Sequence, residues 1–313
     1  MDDVTDTVFR QIIASTATPD LFFTEFVNVD GLQSVGREKL LFKLRQGVAE
    51  NNLIYQIWGK SPENFYKTAK QIANGSLLEE AGSAKGAKAV GIDLNFGCPA
   101  VASSGSCIGM INNRGLVGEI IQATREGAGA LPLSVKTRLG LNEIDFTWHE
   151  FLLKHKLNML TIHGRTAKEM SKVPVHWDVV DHIRELRDKL SPGTLLVGNG
   201  DVLSRAEGEE LAKLHRLDGI MIGRGIFHDP FVFSKDSSWK TTSKAQKIAL
   251  YRKHVRLFTD TWKNNERKLH TLNKFCKVYI NGFDGAKELR EQLMNAQTIN
   301  DLLKLIQPKN GLY

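Results

Sequence analysis

Gly91-Ile92-Asp93-Leu94-Asn95-Phe96-Gly97-Cys98-Pro99 is the stretch on which the reading of this chain turns. Together with the two residues before it, Ala89 to Leu94 reads as a short buried strand in which Val90, Ile92 and Leu94 alternate. Gly97 and Pro99 stop that strand. The stop leaves a thiol, Cys98, at its C-terminal mouth, which is where chemistry sits in a parallel α/β protein. A cysteine is most often a small buried residue. Cys98 instead stands on a Gly-Cys-Pro turn outside any apolar periodicity, which points to a reactive, exposed thiol.

Outward from this stretch, strands and helices alternate. Leu21–Phe26, Leu53–Trp58, Leu133–Arg138, Met159–His163, Thr194–Asn199 and Gly219–Gly223 read as short apolar strands. Helical patterns precede or separate them at about 4–14, 36–44, from Pro62, 116–126, 146–155, 177–189 and 204–214. Short apolar strands alternating with helices suit a parallel sheet covered on both faces. Seven strands fit an α/β fold of the TIM (β/α)8-barrel type with no first strand in the chain. The doubly wound alternative lacks a GxGxxG after an early strand.

From about Ser234 the character changes. Tyr251, Val255, Phe258 and Trp262 form a helical stripe, and helical patterns continue at 272–280, 286–294 and 299–306. A barrel over 1–233 and a helical domain over 239–313 are expected, with Ser234–Ser238 as linker. The 313 residues carry 42 Lys+Arg and 35 Asp+Glu, a net +7. Residues 235–313 hold 16 Lys+Arg against 7 Asp+Glu, or +9, which leaves the first 234 at −2. A basic appendage on a near-neutral body suggests a polyanionic partner.

No apolar run approaches the roughly 20 residues of a membrane helix. The acidic start Met1-Asp2-Asp3 is no signal peptide. Cys98, Cys107 and Cys276 make neither a disulfide framework nor a CxxC metal site, so no metal is expected. A cytoplasmic monomer with no membrane contact fits. Cys276, beside Phe275, is expected in the core, and Cys107 is given no catalytic role.

Polar residues cluster at the strand ends: Gln56, Asn95, Cys98, Lys136, His163 and Asn199. Each alone has a bland reading, as a satisfied polar residue or a turn; in order and in phase they describe one barrel mouth. The turns Gly198-Asn199-Gly200-Asp201 and Gly223-Arg224-Gly225 follow the last two strands, where barrels commonly hold a phosphate on backbone N–H groups. Arg224 adds a charged fork.

At this point the chain resembles the flavin-dependent tRNA-dihydrouridine synthases. The matching pieces are Val4-Thr5-Asp6 with Phe9-Arg10, Gln56 before Trp58-Gly59, Asn95-Phe96-Gly97-Cys98-Pro99, and Val135-Lys136-Thr137-Arg138-Leu139-Gly140. They continue with His163-Gly164-Arg165-Thr166, Gly198–Asp201 and Met221–Gly225, then Asn273-Lys274-Phe275 to Glu288-Leu289-Arg290 in the tail. The resemblance implies an FMN-containing barrel and a tRNA-binding helical domain. NADPH (or NADH) reduces the flavin, hydride passes to C6 of a uracil in tRNA, and Cys98 gives the proton to C5. A thiol of ordinary pKa, about 8.5, is mostly protonated at neutral pH and can donate. By the same resemblance Lys136 sits near the flavin N1/O2 edge, and Gln56 and His163 hold other ring or ribosyl-chain atoms. Asn199, Gly200, Asp201, Gly223 and Arg224 hold the phosphate. Asn95 and Arg165 meet the substrate, and Lys274, Lys277 and Arg290 meet RNA.

The chain departs from the family pattern in two places. Met1 stands where the family's first strand ends in Ala-Pro-Met, so an upstream start is expected. Val101–Cys107 lacks the basic residues often found after Cys-Pro. The alternatives are an FMN barrel acting on a small pyrimidine, similar to dihydroorotate dehydrogenase, and a tRNA-binding homologue without catalysis.

Overall fold

The computed structural model describes residues 1–263 and 266–307. The end of the expected helical region, 308–313, lies outside the described residues. The strands are β1 (Phe22–Phe23), β2 (Val27–Asn28), β3 (Leu53–Trp58), β4 (Gly91–Phe96), β5 (Leu133–Arg138), β6 (Met159–His163), β7 (Leu195–Asn199) and β8 (Gly219–Met221). All pair in parallel in the order β1-β3-β4-β5-β6-β7-β8, with β2 also on β3. β1 and β2 are therefore two pieces of one strand position, and the sheet has the seven expected positions. Among the described residues β8 and β1 do not pair, so the barrel is open along one seam.

The expected strand Leu21–Phe26 breaks at Thr24-Glu25-Phe26. Thr24 Oγ1 accepts the N–H of Gln56 at 3.0 Å, taking a ladder bond away from the backbone. The buried Glu25 carboxylate accepts from Arg267, far along the chain. β4 runs two residues past the expected Leu94, which makes Asn95 a strand residue. Successive side chains on a strand face opposite sides. Pairing sets Gln56 opposite Asp93, Asn95 opposite Lys136, Arg138 opposite His163, and His163 opposite Asn199. One in-phase row of polar side chains thus lines the barrel interior, while Ile92, Leu94 and Phe96 pack outward on the helices.

The helices of the barrel are α1 (Thr7–Ala14), α2 (Val29–Leu32), α3 (Glu38–Leu41), α4 (Pro62–Ala73), α5 (Ser76–Glu80), α6 (Arg114–Ala128), α7 (Phe146–Lys154), α8 (Trp177–Leu190) and α9 (Arg205–Leu214). Ser61 caps α4 by accepting from Asn64 N–H, with Pro62 in its first turn as the sequence signals. The expected helix over 36–44 is instead α3 followed by a 3-10 turn, Phe42–Leu44. The tail holds α10 (Lys244–Thr261), α11 (His270–Tyr279), α12 (Ala286–Asn295) and α13 (Ile299–Leu305). No helix among the described residues is long and apolar enough to cross a membrane.

Tail and barrel share one hydrophobic core. Phe9 of α1 lies 4.6 Å, centroid to centroid, from Phe275 of α11 and 5.8 Å from His254 of α10. The stripe Tyr251, Val255, Phe258 and Trp262 is buried, as is Cys276. Arg267, its side chain 3% exposed, reaches from the tail to the barrel carboxylates Glu25, Asp6 and Asp3. Its guanidinium also lies 4.8 Å from the Phe42 ring centroid.

Candidate active site

The C-terminal ends of the strands open into a cavity of about 1050 Å³. Its walls include Asn95, Cys98 and all eight residues expected to hold a cofactor: Gln56, Lys136, His163, Asn199, Gly200, Asp201, Gly223 and Arg224.

The turn that carries Cys98 is held from both sides. Asn95 Oδ1 accepts the N–H groups of Gly97 and Cys98 at 3.1 and 3.0 Å. Arg138 Nε donates to the Gly97 carbonyl at 3.0 Å, and its Nη1 donates to Thr166 and Met170 carbonyls. A Cβ at Gly97 would stand 3.3 Å from the Thr137 backbone, so any larger residue would press the turn against β5.

Cys98 is half-buried, and its thiol is pulled down to about 6. The first cause is the neighbouring Cys107 thiol, followed by the Ala100 N–H and the Arg138 charge; desolvation opposes them. Cys107 is buried, and its own acidity is suppressed, so it keeps its proton. The sequence expectation is an ordinary thiol at Cys98 and no catalytic role for Cys107; the structure sets the two thiols beside each other. No sequence signal joins two cysteines across a loop of unrelated residues.

Lys136 is driven down to about 8, first by burial and then by Arg138, with Asp93 and Cys98 opposing. His163 is lowered to about 2 by burial and by the neighbouring cations Lys136, Arg138 and Arg165, so it is a neutral hydrogen-bonding group at any working pH. Asn199 Nδ2 donates to the Met221 carbonyl at 2.8 Å and ties β7 to β8.

Arg165, expected at the substrate face, lies behind it. Its side chain is 2% exposed and does not line the cavity. It donates to the Val173 carbonyl at 2.6 Å and pairs with Asp201. Asp201 also pairs with Arg224 at 2.9 Å. The expected phosphate ligand Asp201 is thus an anion neutralised by two guanidiniums, whose pull holds it below the usual carboxylate range. It orients Arg224 instead of offering an edge to an anion. Gly200 stands in the left-handed half of backbone space, at φ +143°, and a Cβ there would meet Val175 at 2.7 Å.

Of the three residues expected at RNA, Lys274 and Lys277 are exposed on α11, outside the cavity. Arg290 is half-buried and donates to the Ile280 carbonyl at 2.6 Å, satisfying the end of α11. That contact makes it a cap on α11.

Sequence reasoning missed Asp93, Arg138 and Thr161. All three share the strand phase of residues it named, so strict period-two counting from Asn95, Lys136 and His163 finds them. Thr161 Oγ1 borders the cavity, buried and without a hydrogen-bond partner among the described residues.

Comparison with known proteins bears on this geometry. The family model described as Dihydrouridine synthase (Dus) matches residues 1–310. A protein named "Probable tRNA-dihydrouridine synthase" from Staphylococcus aureus strain Mu50 is 43% identical over 316 residues, covering 98% of this chain and 90% of its own. "Probable tRNA-dihydrouridine synthase 2" of Bacillus subtilis strain 168 is 40% identical over 312 residues, covering 98% and 91%. Among solved structures, morphinone reductase in complex with tetrahydroNAD aligns with a TM-score of 0.48 at 11% identity, over 74% of this chain and 81% of that one.

Proposed function

Because this chain belongs to the dihydrouridine synthase family, we propose that it reduces the C5=C6 bond of uridines in tRNA, with FMN as cofactor and NADPH as reductant. The observation that carries this reading is a cavity lined by hydrogen-bond donors with one activated thiol at its rim. Asn95 spends its carbonyl on two backbone N–H groups and keeps an N–H free. Gln56 spends one N–H on Asp93 and keeps the other. With Lys136 and Arg224 these donors suit a ligand rich in carbonyl, ring-nitrogen and phosphate acceptors. The orphaned hydroxyl of Thr161 on the same wall fits such a ligand as well.

In this reading Gln56, Lys136 and His163 hold the flavin ring system and ribosyl chain. The turns at Asn199–Gly200 and Gly223–Arg224 hold the phosphate. Bound there, FMN supplies the two-electron reduction chemistry at the expense of NADPH. A Lys136 ammonium would place a positive charge beside the ring system. Asn95 donates to a carbonyl of the uracil. Cys98 releases its proton to C5, and the thiolate left behind is stabilised by the Cys107 S–H, the Ala100 N–H and the Arg138 charge. Residues 1–233 form the catalytic part and the basic region 239–313 docks tRNA. The target uridine leaves its stack to enter the cavity.

The test is reconstitution. Purified protein with FMN and NADPH is expected to add two hydrogens to a uridine in tRNA, read by mass spectrometry of digested RNA. Reduction of a free pyrimidine with tRNA untouched would overturn the tRNA reading, and no retained flavin would overturn the cofactor.

A further inference from the structure

Asp93 is a carboxylate with no solvent exposure, one layer below the mouth on β4. Among the described residues it has no ion-pair partner within 4 Å, although burying a charge without one is costly. Ser134 Oγ donates to one of its oxygens at 2.5 Å and Gln56 Nε2 to the other at 2.7 Å. Gln56 Oε1 in turn accepts from Asn95 Nδ2 at 3.1 Å. A side-chain amide can stand either way round, and its neighbours decide which. A carboxylate is acceptor-only, so it rejects the amide oxygen and takes the amide nitrogen.

We propose that Asp93 is a positioning residue: by accepting from Gln56 Nε2 it fixes which way round the Gln56 amide stands, so that Gln56 turns an N–H and not a lone-pair edge toward the flavin. The flavin is the one of the reading above, on which this rests. The assignment adds a residue beneath the site that touches no ligand itself and acts through Gln56. A purely structural role for Asp93 would ask only that the buried chain from Ser134 to Asn95 be satisfied.

The two roles separate in the paired exchange Asp93→Asn with Gln56→Glu. Ser134 then donates to the carbonyl of the new amide on β4, and the nitrogen of that amide donates to the new carboxylate on β3. Asn95 donates to the other oxygen of the same carboxylate. Shape, net charge and every hydrogen bond are kept, but position 56 has no N–H left to present. FMN affinity is read by quenching of flavin fluorescence, and folding by thermal unfolding of the flavin-free protein. The paired variant is expected to melt like the wild type and to bind FMN about tenfold more weakly, the worth of one misaligned hydrogen bond. Asp93→Asn alone keeps an acceptor for Gln56 and is expected to bind within about threefold of wild type. Native FMN affinity in the paired variant overturns the proposal. If that variant does not fold, Gln56→Met, which has no edge to present, must show the same loss, and native affinity there overturns it equally. A wild type that binds no FMN fails the cofactor reading itself and removes this inference with it, an outcome distinct from the others.

Discussion

At the scale of single residues, the thiol pair gives a sharp expectation. Alkylation by iodoacetamide requires thiolate, so its rate at Cys98 rises with pH through the thiol's own pKa. In the wild type the midpoint is expected near 6. Cys107→Ala removes the S–H donor and moves the midpoint up toward the ordinary value of about 8.5. Cys107→Ser keeps a donor and leaves it low. A Cys107→Ala protein still titrating near 6 rejects the assignment. The same pair fixes the sign of the reaction's pH dependence. Cys98 works as an acid only while protonated, so the single-turnover rate of tRNA reduction is expected to fall as pH rises above about 6. Cys98→Ala should retain FMN and lose about 10²–10⁴-fold of tRNA reduction. These features differ in how far sequence shows them. Asn95, Lys136, His163 and Asn199 are legible because strand phase alone sends them inward. The placing of Cys107 beside Cys98 and the Arg165–Asp201–Arg224 clamp are not, because each is a contact between loops whose path no local pattern encodes.

At the scale of elements, α11 separates two kinds of positive charge. Lys274 and Lys277 project from it, whereas Arg290 of α12 also donates to the carbonyl that ends α11. Lys274→Gln with Lys277→Gln is expected to weaken tRNA binding and to flatten the slope of log affinity against log salt by about 0.7–0.9 per lost contact. FMN binding should not change. A filter-binding titration with unchanged slope would remove α11 from the docking surface. Arg290→Gln instead is expected to cost about 1 kcal/mol of stability, the worth of one hydrogen bond, in urea unfolding. The sequence makes all three look alike, since composition counts charges and cannot see which carbonyl a guanidinium has found. Strand positions are far more legible: short apolar runs between turn signals place all seven. The break at Thr24–Phe26 is hidden because it answers to Arg267, more than 200 residues away.

At the scale of the whole molecule, barrel and tail are held by a shared aromatic cluster and by Arg267. Removing that guanidinium strands Glu25 and Asp6 in the interior. Arg267→Ala is therefore expected to cost about 3–5 kcal/mol, the usual penalty for breaking a buried pair. With Phe9, His254 and Phe275 in one cluster, urea denaturation should give a single transition followed alike by fluorescence and circular dichroism. Two separated transitions would show that the regions fold apart. Within the sheet as described, β5 is the central strand and β1 and β8 are the outermost. Amide hydrogen exchange is expected to be slowest on β4 to β6, where every strand is braced on both sides by backbone hydrogen bonds.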